Sequence, residues 1–218
     1  MPATAVTIDA VLLGTIAPFR AADEPSAIAK RTVDRPVAVT PMGLAGDQQA
    51  DRVHHGGLDK AIHHYPFDHY AHWRTRFGDH PLLAEPGAFG ENISTSGLTD
   101  DAACLGDRYR LGTALVEVSH GRQPCWKLGH HFRKPELTAL VVASARAGWY
   151  YRVLEPGTVA AGDSLELVDR TLPQWPIARL FEILVGGGHK QETPALRELA
   201  ALPVLADAWR SRARDLAA

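Results

Sequence analysis

Apolar and polar positions alternate along the first stretch of the chain. "AVTIDAVLLGTIAPF", residues 5–19, runs in β-favouring residues until Pro18 interrupts it. "RPVAVT", residues 35–40, is a second short run, closed by the Pro/Gly loop "PMGLAGD". The period then changes. In "PFDHYAHWRTRF" the residues Phe67, Tyr70, Ala71, Arg74 and Phe77 recur at helical spacing beside Trp73, which predicts an amphipathic helix with Pro66 in its first turn. Alternation returns in "ENISTSG", "DRYRLG" and "ALVEVSH". Glycines and aspartates separate these pieces at close intervals, a punctuation that predicts a small barrel or a strongly bent sheet. "KPELTALVVASARAG" predicts a helix from Lys134 and Pro135 to Gly148, and "WYYRVLEPGTVAAGDSLELVD" predicts two strands about a turn at Pro156-Gly157.

After Asp169 the pattern becomes helical throughout. "LPQWPIARLFEIL", "TPALRELAAL" and "PVLADAWRSRARDL" are three pieces broken by Gly186 to Gly188 and by Pro203, with Thr193-Pro194 as a cap and first-turn pair. Each is too short to stand alone, so they are expected to pack on one another or on a partner subunit. The chain divides into a barrel over residues 1–168 and a small all-α appendage over residues 169–218.

Composition narrows the function classes. Of 218 residues, 45% are apolar and 22% charged, and the formal net charge of -2 gives no field that favours nucleic acid or an anionic membrane. No run approaches the roughly 20 apolar residues of a membrane span. The N-terminus lacks the features of a secretory signal, and two cysteines are too few for a disulfide framework, so a soluble cytoplasmic protein with reduced thiols is expected. Histidine is the oddity: there are 11, most of them between residues 54 and 131.

Four segments carry candidate chemistry. "GLAGDQQADRVHHGGLDKAIHHYPFDHY" holds Asp47, Asp51, His54, His55, Asp59, Lys60, His63 and His64 about a Gly56-Gly57 pair. Its histidine spacing fits neither a helical zinc motif nor a finger. An anion pocket built on the glycine amides, or a polar turn at the sheet margin, are the other readings. "EPGAFGENISTSG" places Asn92 after a glycine-bracketed Phe89, a pattern usual for a bulge or tight bend. "PSAIAKR" offers Ser26, Lys30 and Arg31 to a phosphate, or simply a solvated loop. In "SHGRQPCWKLGHHF", Arg122 and Lys127 flank Cys125 and favour its thiolate, with Pro124 fixing the preceding backbone. A thiolate binds soft metals and suits a cofactor that brings its remaining ligands with it. Cys104, with no basic neighbour in "DDAACLGD", reads as structural. No dinucleotide fingerprint is present, because "GGG" at 186–188 follows a helix rather than a strand.

Taken in order, "PSAIAKR", "GDQQADRVHHGGLDKAIHHY", "GAFGENIST", "GDRYRLGTALVEVSHGRQPCWKL" and "WPIARLFEIL" resemble the MOSC-domain proteins of the YiiM type across nearly the whole chain. The departure is "SHGR", where glutamine and proline are expected before the arginine; it leaves Arg122 and Cys125 in place. The resemblance implies a mainly β fold, a mixed MOSC β-barrel with flanking helices, followed by a three-helix domain. It implies the molybdenum cofactor, a pterin dithiolene with a terminal phosphate, with Cys125 completing the metal's coordination. It implies reduction of N-hydroxylated substrates such as N-hydroxylated purines and amidoximes, with electrons from a separate reductase. On the same basis Ser26 and Lys30 lie near the phosphate, His55, His63 and His64 line the pocket, and Asn92 and Arg122 hold the pterin or phosphate. The histidines are the expected proton donors to the leaving oxygen, with Asp47 orienting one of them. The alternative is a cofactor carrier or sulfur-handling module without turnover. The C-terminal helices are then a docking surface for the reductase or a contact between two copies of the chain.

Overall fold

The structure, a computed structural model, describes residues 5–21, 24–51 and 56–218. Six short strands precede the first helix region: β1 (Ala5–Gly14), β2 (Ala17–Pro18), β3 (Pro25–Ser26), β4 (Lys30–Thr32), β5 (Val37–Thr40) and β6 (Gly43–Leu44). Then come β7 (Ile62–His64), α1 (Asp68–Phe77), β8 (Ile93–Thr95), β9 (Arg108–Leu111), β10 (Ala114–Gly121), α2 (Trp126–His131) and α3 (Leu137–Ser144). The chain continues through β11 (Trp149–Glu155), β12 (Gly157–Val159) and β13 (Ser164–Asp169) to α4 (Ile177–Leu184), α5 (Thr193–Ala201) and α6 (Asp207–Ala217).

The main sheet runs β13-β9-β10-β11-β7-β8-β1-β4, and β1 pairs back onto β13, closing the seven strands from β13 to β1 into a barrel. Closure removes the exposed edges that short strands would otherwise present. The barrel is mixed because β7 and β8 run parallel, with His64 opposite Ile93, while its other pairs are antiparallel. β1 is long enough to serve three partners: its start pairs with β13, its middle with β8 and its end with β4. Its Ile8, Ala10, Val11 and Leu12 are all buried. The expected barrel with flanking helices and a helical C-terminal region is what forms.

Several boundaries differ from the sequence expectation, each for a local reason. The helix expected to run to Gly148 ends at Ser144, where Ala145 turns left-handed at φ 51°. The two strands expected about Pro156-Gly157 are three: β12 leaves β11 and pairs with β5 instead, and β13 returns to β1 and β9. Thr193 lies inside α5, with Glu192 at the cap position, and Pro66 precedes α1 rather than entering it. The paired histidines at 63 and 64 sit on a central strand, β7, and not in a turn.

A stack of aromatic rings fills one end of the core beside α1. Tyr65 and Phe89 lie face to face at 4.0 Å, and Trp73 Nε1 donates to the Tyr65 hydroxyl at 2.6 Å. Offset and edge contacts of this kind add to burial itself. Beside them the buried Glu91 accepts from the amides of Gly87 (2.7 Å) and Phe89 (3.0 Å) and from the Tyr70 hydroxyl (2.6 Å), which folds residues 87–90 into a fixed turn. Just beyond β13, the Arg170 guanidinium grips the buried Asp107 at 2.6 and 2.8 Å, and α4 docks on the barrel domain through the Ile177 and Ala178 amides, which donate to the Ala103 and Asp100 carbonyls at 2.8 and 2.9 Å. No helix among the described residues is long and apolar enough to cross a membrane.

Candidate functional site

One cleft gathers most of the singled-out side chains. It encloses about 720 Å³, counting its open mouth, and is lined by residues of six separate stretches, among them Ser26, Lys30, Asp47, His63, Asn92, Arg122 and Cys125. The sheet and its hairpins bring these stretches together: β3 and β4 supply Ser26 and Lys30, the loop after β6 supplies Asp47, β7 supplies His63, and the backbone beyond β10 supplies Arg122 and Cys125.

Strand periodicity decides which histidine faces the cleft. Successive side chains on a strand point to opposite faces. His63 pairs with Tyr150 and packs on its ring at 5.0 Å, and Tyr150 packs on His120 at 5.2 Å, so these rings form one face across β7, β11 and β10. His64 points the other way. It is fully buried against Trp149, with Nδ1 3.0 Å from the Tyr151 hydroxyl and Nε2 2.9 Å from Thr95 Oγ1. The expectation that His64 lines the pocket is therefore corrected: it is a satisfied interior residue. Burial holds its imidazole neutral, pushed down to about 3.

Asp47 is a hub of hydrogen bonds. Its Oδ1 accepts from the Gly14 amide at 2.6 Å, and its Oδ2 accepts from Lys30 Nζ at 2.7 Å and Asn92 Nδ2 at 2.9 Å. Among the described residues its partners include no histidine, so the histidine-orienting role expected of it is corrected: the side chains it orients are Lys30 and Asn92. Burial pushes the Lys30 ammonium below the usual lysine range, and Asp47 opposes that shift. Asn92 also accepts from the His63 amide through Oδ1 at 3.1 Å, which ties the aspartate to β7. Ser26 Oγ accepts from the Ile28 amide at 3.2 Å. His54 and His55, the other expected proton donors, lie outside the described residues.

Two buried polar atoms on the cleft wall have no partner among the described residues, Arg122 Nη1 and His63 Nε2. Both side chains are almost wholly buried. Buried polar groups are rarely left unpaired, so such atoms on a cavity wall point to a ligand. Arg122 Nη2 donates to the Phe89 carbonyl at 3.3 Å. His63 is held neutral by burial first and by the neighbouring Arg122 and Lys30 charges next, so at neutral pH it offers a hydrogen bond rather than a charge. Tyr150 keeps its proton because burial raises it, with Arg122 opposing and Cys125 and Asp47 adding to the rise.

Cys125 caps α2, half-buried, in an extended conformation (φ -112°, ψ 166°). Its carbonyl accepts from the Leu128 amide and from Thr138 Oγ1, which fixes the thiol-bearing backbone. Lys127 also lines the cleft, but its Nζ donates to the Pro25 carbonyl at 2.9 Å and so clamps β3 onto α2. Cys104 is buried, its thiol pushed up to about 11 chiefly by burial, as expected of a structural residue. Tyr150, Gln48 and Gln49 line the cleft without having been flagged by sequence. Only the register of β11 against β7 marks Tyr150, and no spacing along the chain reveals a register. Among the described residues no group of three or more His, Cys, Asp or Glu side chains is placed to hold a metal ion. A metal here would have to arrive with other ligands, and one thiol, one unsatisfied guanidinium, an imidazole and an amide fit an anionic metal-bearing cofactor.

The MOSC domain family matches residues 51–166, and the YiiM-like, 3-alpha helix domain matches residues 175–216. Protein YiiM of Escherichia coli is 46% identical over 147 residues, 67% of this chain and 66% of that protein. A Gibberella moniliformis protein named Reductase is 39% identical over 160 residues, 73% of this chain and 28% of its own length. The crystal structure of YiiM from Geobacillus stearothermophilus superposes with a TM-score of 0.81 at 34% identity, covering 98% of this chain and 100% of that one. The chain thus spans just under two thirds of the Escherichia coli relative and little more than a quarter of the fungal one.

Proposed function

The chain belongs to the MOSC-domain family and is of the YiiM type, and from that premise we propose that it is a molybdenum cofactor-dependent reductase of N-hydroxylated compounds. The observation that carries the reading is the pairing, on one cleft wall, of the Cys125 thiol with the buried, unsatisfied Nη1 of Arg122. The name of the fungal relative supports reductive chemistry.

When bound, the cofactor would supply the two-electron redox chemistry that reduction of an N–OH group needs. The chain's own residues do the rest. Cys125 is the metal's protein ligand. Arg122 gives a charge-assisted hydrogen bond to the phosphate or pterin. Lys30 and Asn92, held in place by Asp47, keep that end of the cleft rigid. His63, neutral at Nε2, offers a directional hydrogen bond. Phe89 and Tyr150 narrow the wall and limit water. Electrons come from a separate reductase, and the substrate is a small N-hydroxylated molecule.

The test is molybdenum per chain and turnover, for wild type and Cys125→Ala made in a host that produces the cofactor. Near-stoichiometric metal in the wild type is expected, with reduction of an N-hydroxylated purine by an artificial donor. Cys125→Ala is expected to abolish reduction while keeping most of the pterin. Full activity in that variant sinks the assignment of Cys125. Pterin without turnover under any reductant moves the reading to a cofactor carrier.

A further inference from the structure

The direction of the Arg122 side chain depends on the backbone of residues 121 and 122, and two contacts outside the cleft fix that backbone. In the first, the Arg122 amide donates to the Gly148 carbonyl at 2.9 Å. Gly148 is held in turn, because its own amide donates to Asp100 Oδ1 at 2.8 Å, alongside the Ala147 amide at 3.2 Å. The other oxygen of Asp100 lies 2.5 Å from His69 Nε2 on α1. Gly148 sits at φ +71°, where a Cβ would stand 2.3 Å from the His64 carbonyl and 3.3 Å from His63 Nε2. The turn therefore has no slack on the side that faces the unsatisfied His63 Nε2. In the second contact, Gly121 is pressed against the C-terminal helices. A Cβ there would lie 3.2 Å from Trp209, 3.4 Å from Phe181 and 3.5 Å from Ile177. The two contacts meet again at Asp100, whose carbonyl accepts the Ala178 amide in the first turn of α4 at 2.9 Å.

We propose that Asp100, together with the C-terminal helices packed on Gly121, is a positioning device for Arg122, so that the helical region serves the ligand site from behind. Asp100 and His69 are both buried, at 2% and 6% exposure. Burying such a pair carries a desolvation cost that packing alone does not require. The geometry uses the pair to pin one turn. Supporting groups of this kind orient a binding residue without touching the ligand.

The inference rests on the proposed ligand-binding role of Arg122 but not on molybdenum, so its test uses inorganic phosphate as the probe in metal-free protein. Phosphate affinity is measured by calorimetry for wild type, Arg122→Ala, Asp100→Ala, Asp100→Asn and Gly121→Ala, with melting temperatures beside it. The Arg122 side-chain N–H signal is followed by NMR without phosphate. Asp100→Ala and Gly121→Ala are expected to weaken phosphate binding about tenfold and to shift that signal, the size of one lost charge-assisted hydrogen bond. Asp100→Asn keeps the acceptor for Gly148 and is expected to recover affinity to within about threefold of wild type. Folded variants with wild-type affinity and an unmoved Arg122 signal overturn the proposal, as does wild-type phosphate binding that ignores Arg122→Ala. If Asp100→Ala and Gly121→Ala fail to fold, His69→Gln decides: a loss of about threefold supports it and unchanged affinity overturns it. A metal-loaded, active wild type with Asp100-independent phosphate binding would sink this inference alone.

Discussion

Asp47 accepts three hydrogen bonds with its side chain only 3% exposed, and one of its donors is the ammonium of Lys30, itself 10% exposed. The pair holds because each charge satisfies the other; burial alone pushes Lys30 toward losing its proton. Asp47→Ala leaves that ammonium and the Gly14 and Asn92 donors without their acceptor. Breaking a buried pair from one side costs about 3–5 kcal/mol. Lys30→Met leaves a carboxylate that still accepts from Gly14 and Asn92, so its cost is expected to be smaller, about 1–3 kcal/mol. Urea unfolding of both variants measures the difference. Equal losses, or losses within about 0.5 kcal/mol of zero, would mean that water reaches the pair and that it contributes little.

The turn at residues 87–90 is an element built on one side chain, Glu91. Burial raises its pKa, while the Tyr70 hydroxyl and the Gly87 and Phe89 amides hold it down. Glu91→Ala leaves those donors buried and unpaired, at a cost of about 3–5 kcal/mol. It also frees the Phe89 carbonyl that holds Arg122, so phosphate affinity is expected to fall with stability. Glu91→Gln keeps one acceptor oxygen and is expected to lose about half as much. Calorimetry and urea unfolding on the two variants separate these outcomes, and a Glu91→Ala protein with wild-type stability refutes the role given to the turn. Elements of this length also mark the limit of the sequence. β1, α1 and the three C-terminal helices were legible because each repeats its apolar period often enough to see. β7, with three residues, and α2, with six, are too short to show a period, and the two histidines of β7 imitate a polar turn. β12 was misread as a hairpin partner of β11 because the sequence shows a turn but not the strand waiting at β5. The cleft itself was half legible. Cys125 and Arg122 stood out by type and neighbours, Asn92 and Lys30 were set apart from a bend and a solvated loop only by the family resemblance, and Tyr150 reaches the cleft through a register.

At the scale of the whole molecule, three buried histidines among the described residues, His63, His64 and His120, are folded in as neutral rings, and this gives stability a direction with pH. His64 and His120 are each pushed down to about 3, mainly by burial, and His63 is lowered well below its ordinary value. The groups around them reinforce this. Lys60 and Arg152 face His120, Arg122 and Lys30 face His63, and His69 faces His64. In the unfolded chain each of these histidines titrates near 6.5. Between that value and the lowered folded one, the unfolded state binds protons that the folded state refuses. Stability is therefore complete above about pH 7 and falls as the pH drops through 6.5 toward 3, by up to about 1.4 kcal/mol per unit for each ring. Glu91 works in the opposite sense, since its raised pKa favours the folded state as acid protonates it, but it is one group against three. Urea midpoints measured from pH 8 to pH 4 are expected to be flat at first and then to fall. His64→Gln, which removes one of the three titrations while keeping polar atoms near Tyr151 and Thr95, is expected to flatten the acid limb even as it lowers the plateau. An acid limb unchanged in that variant, or stability that rises below pH 6, would mean that the interior of the barrel admits the charge that its packing is built to exclude.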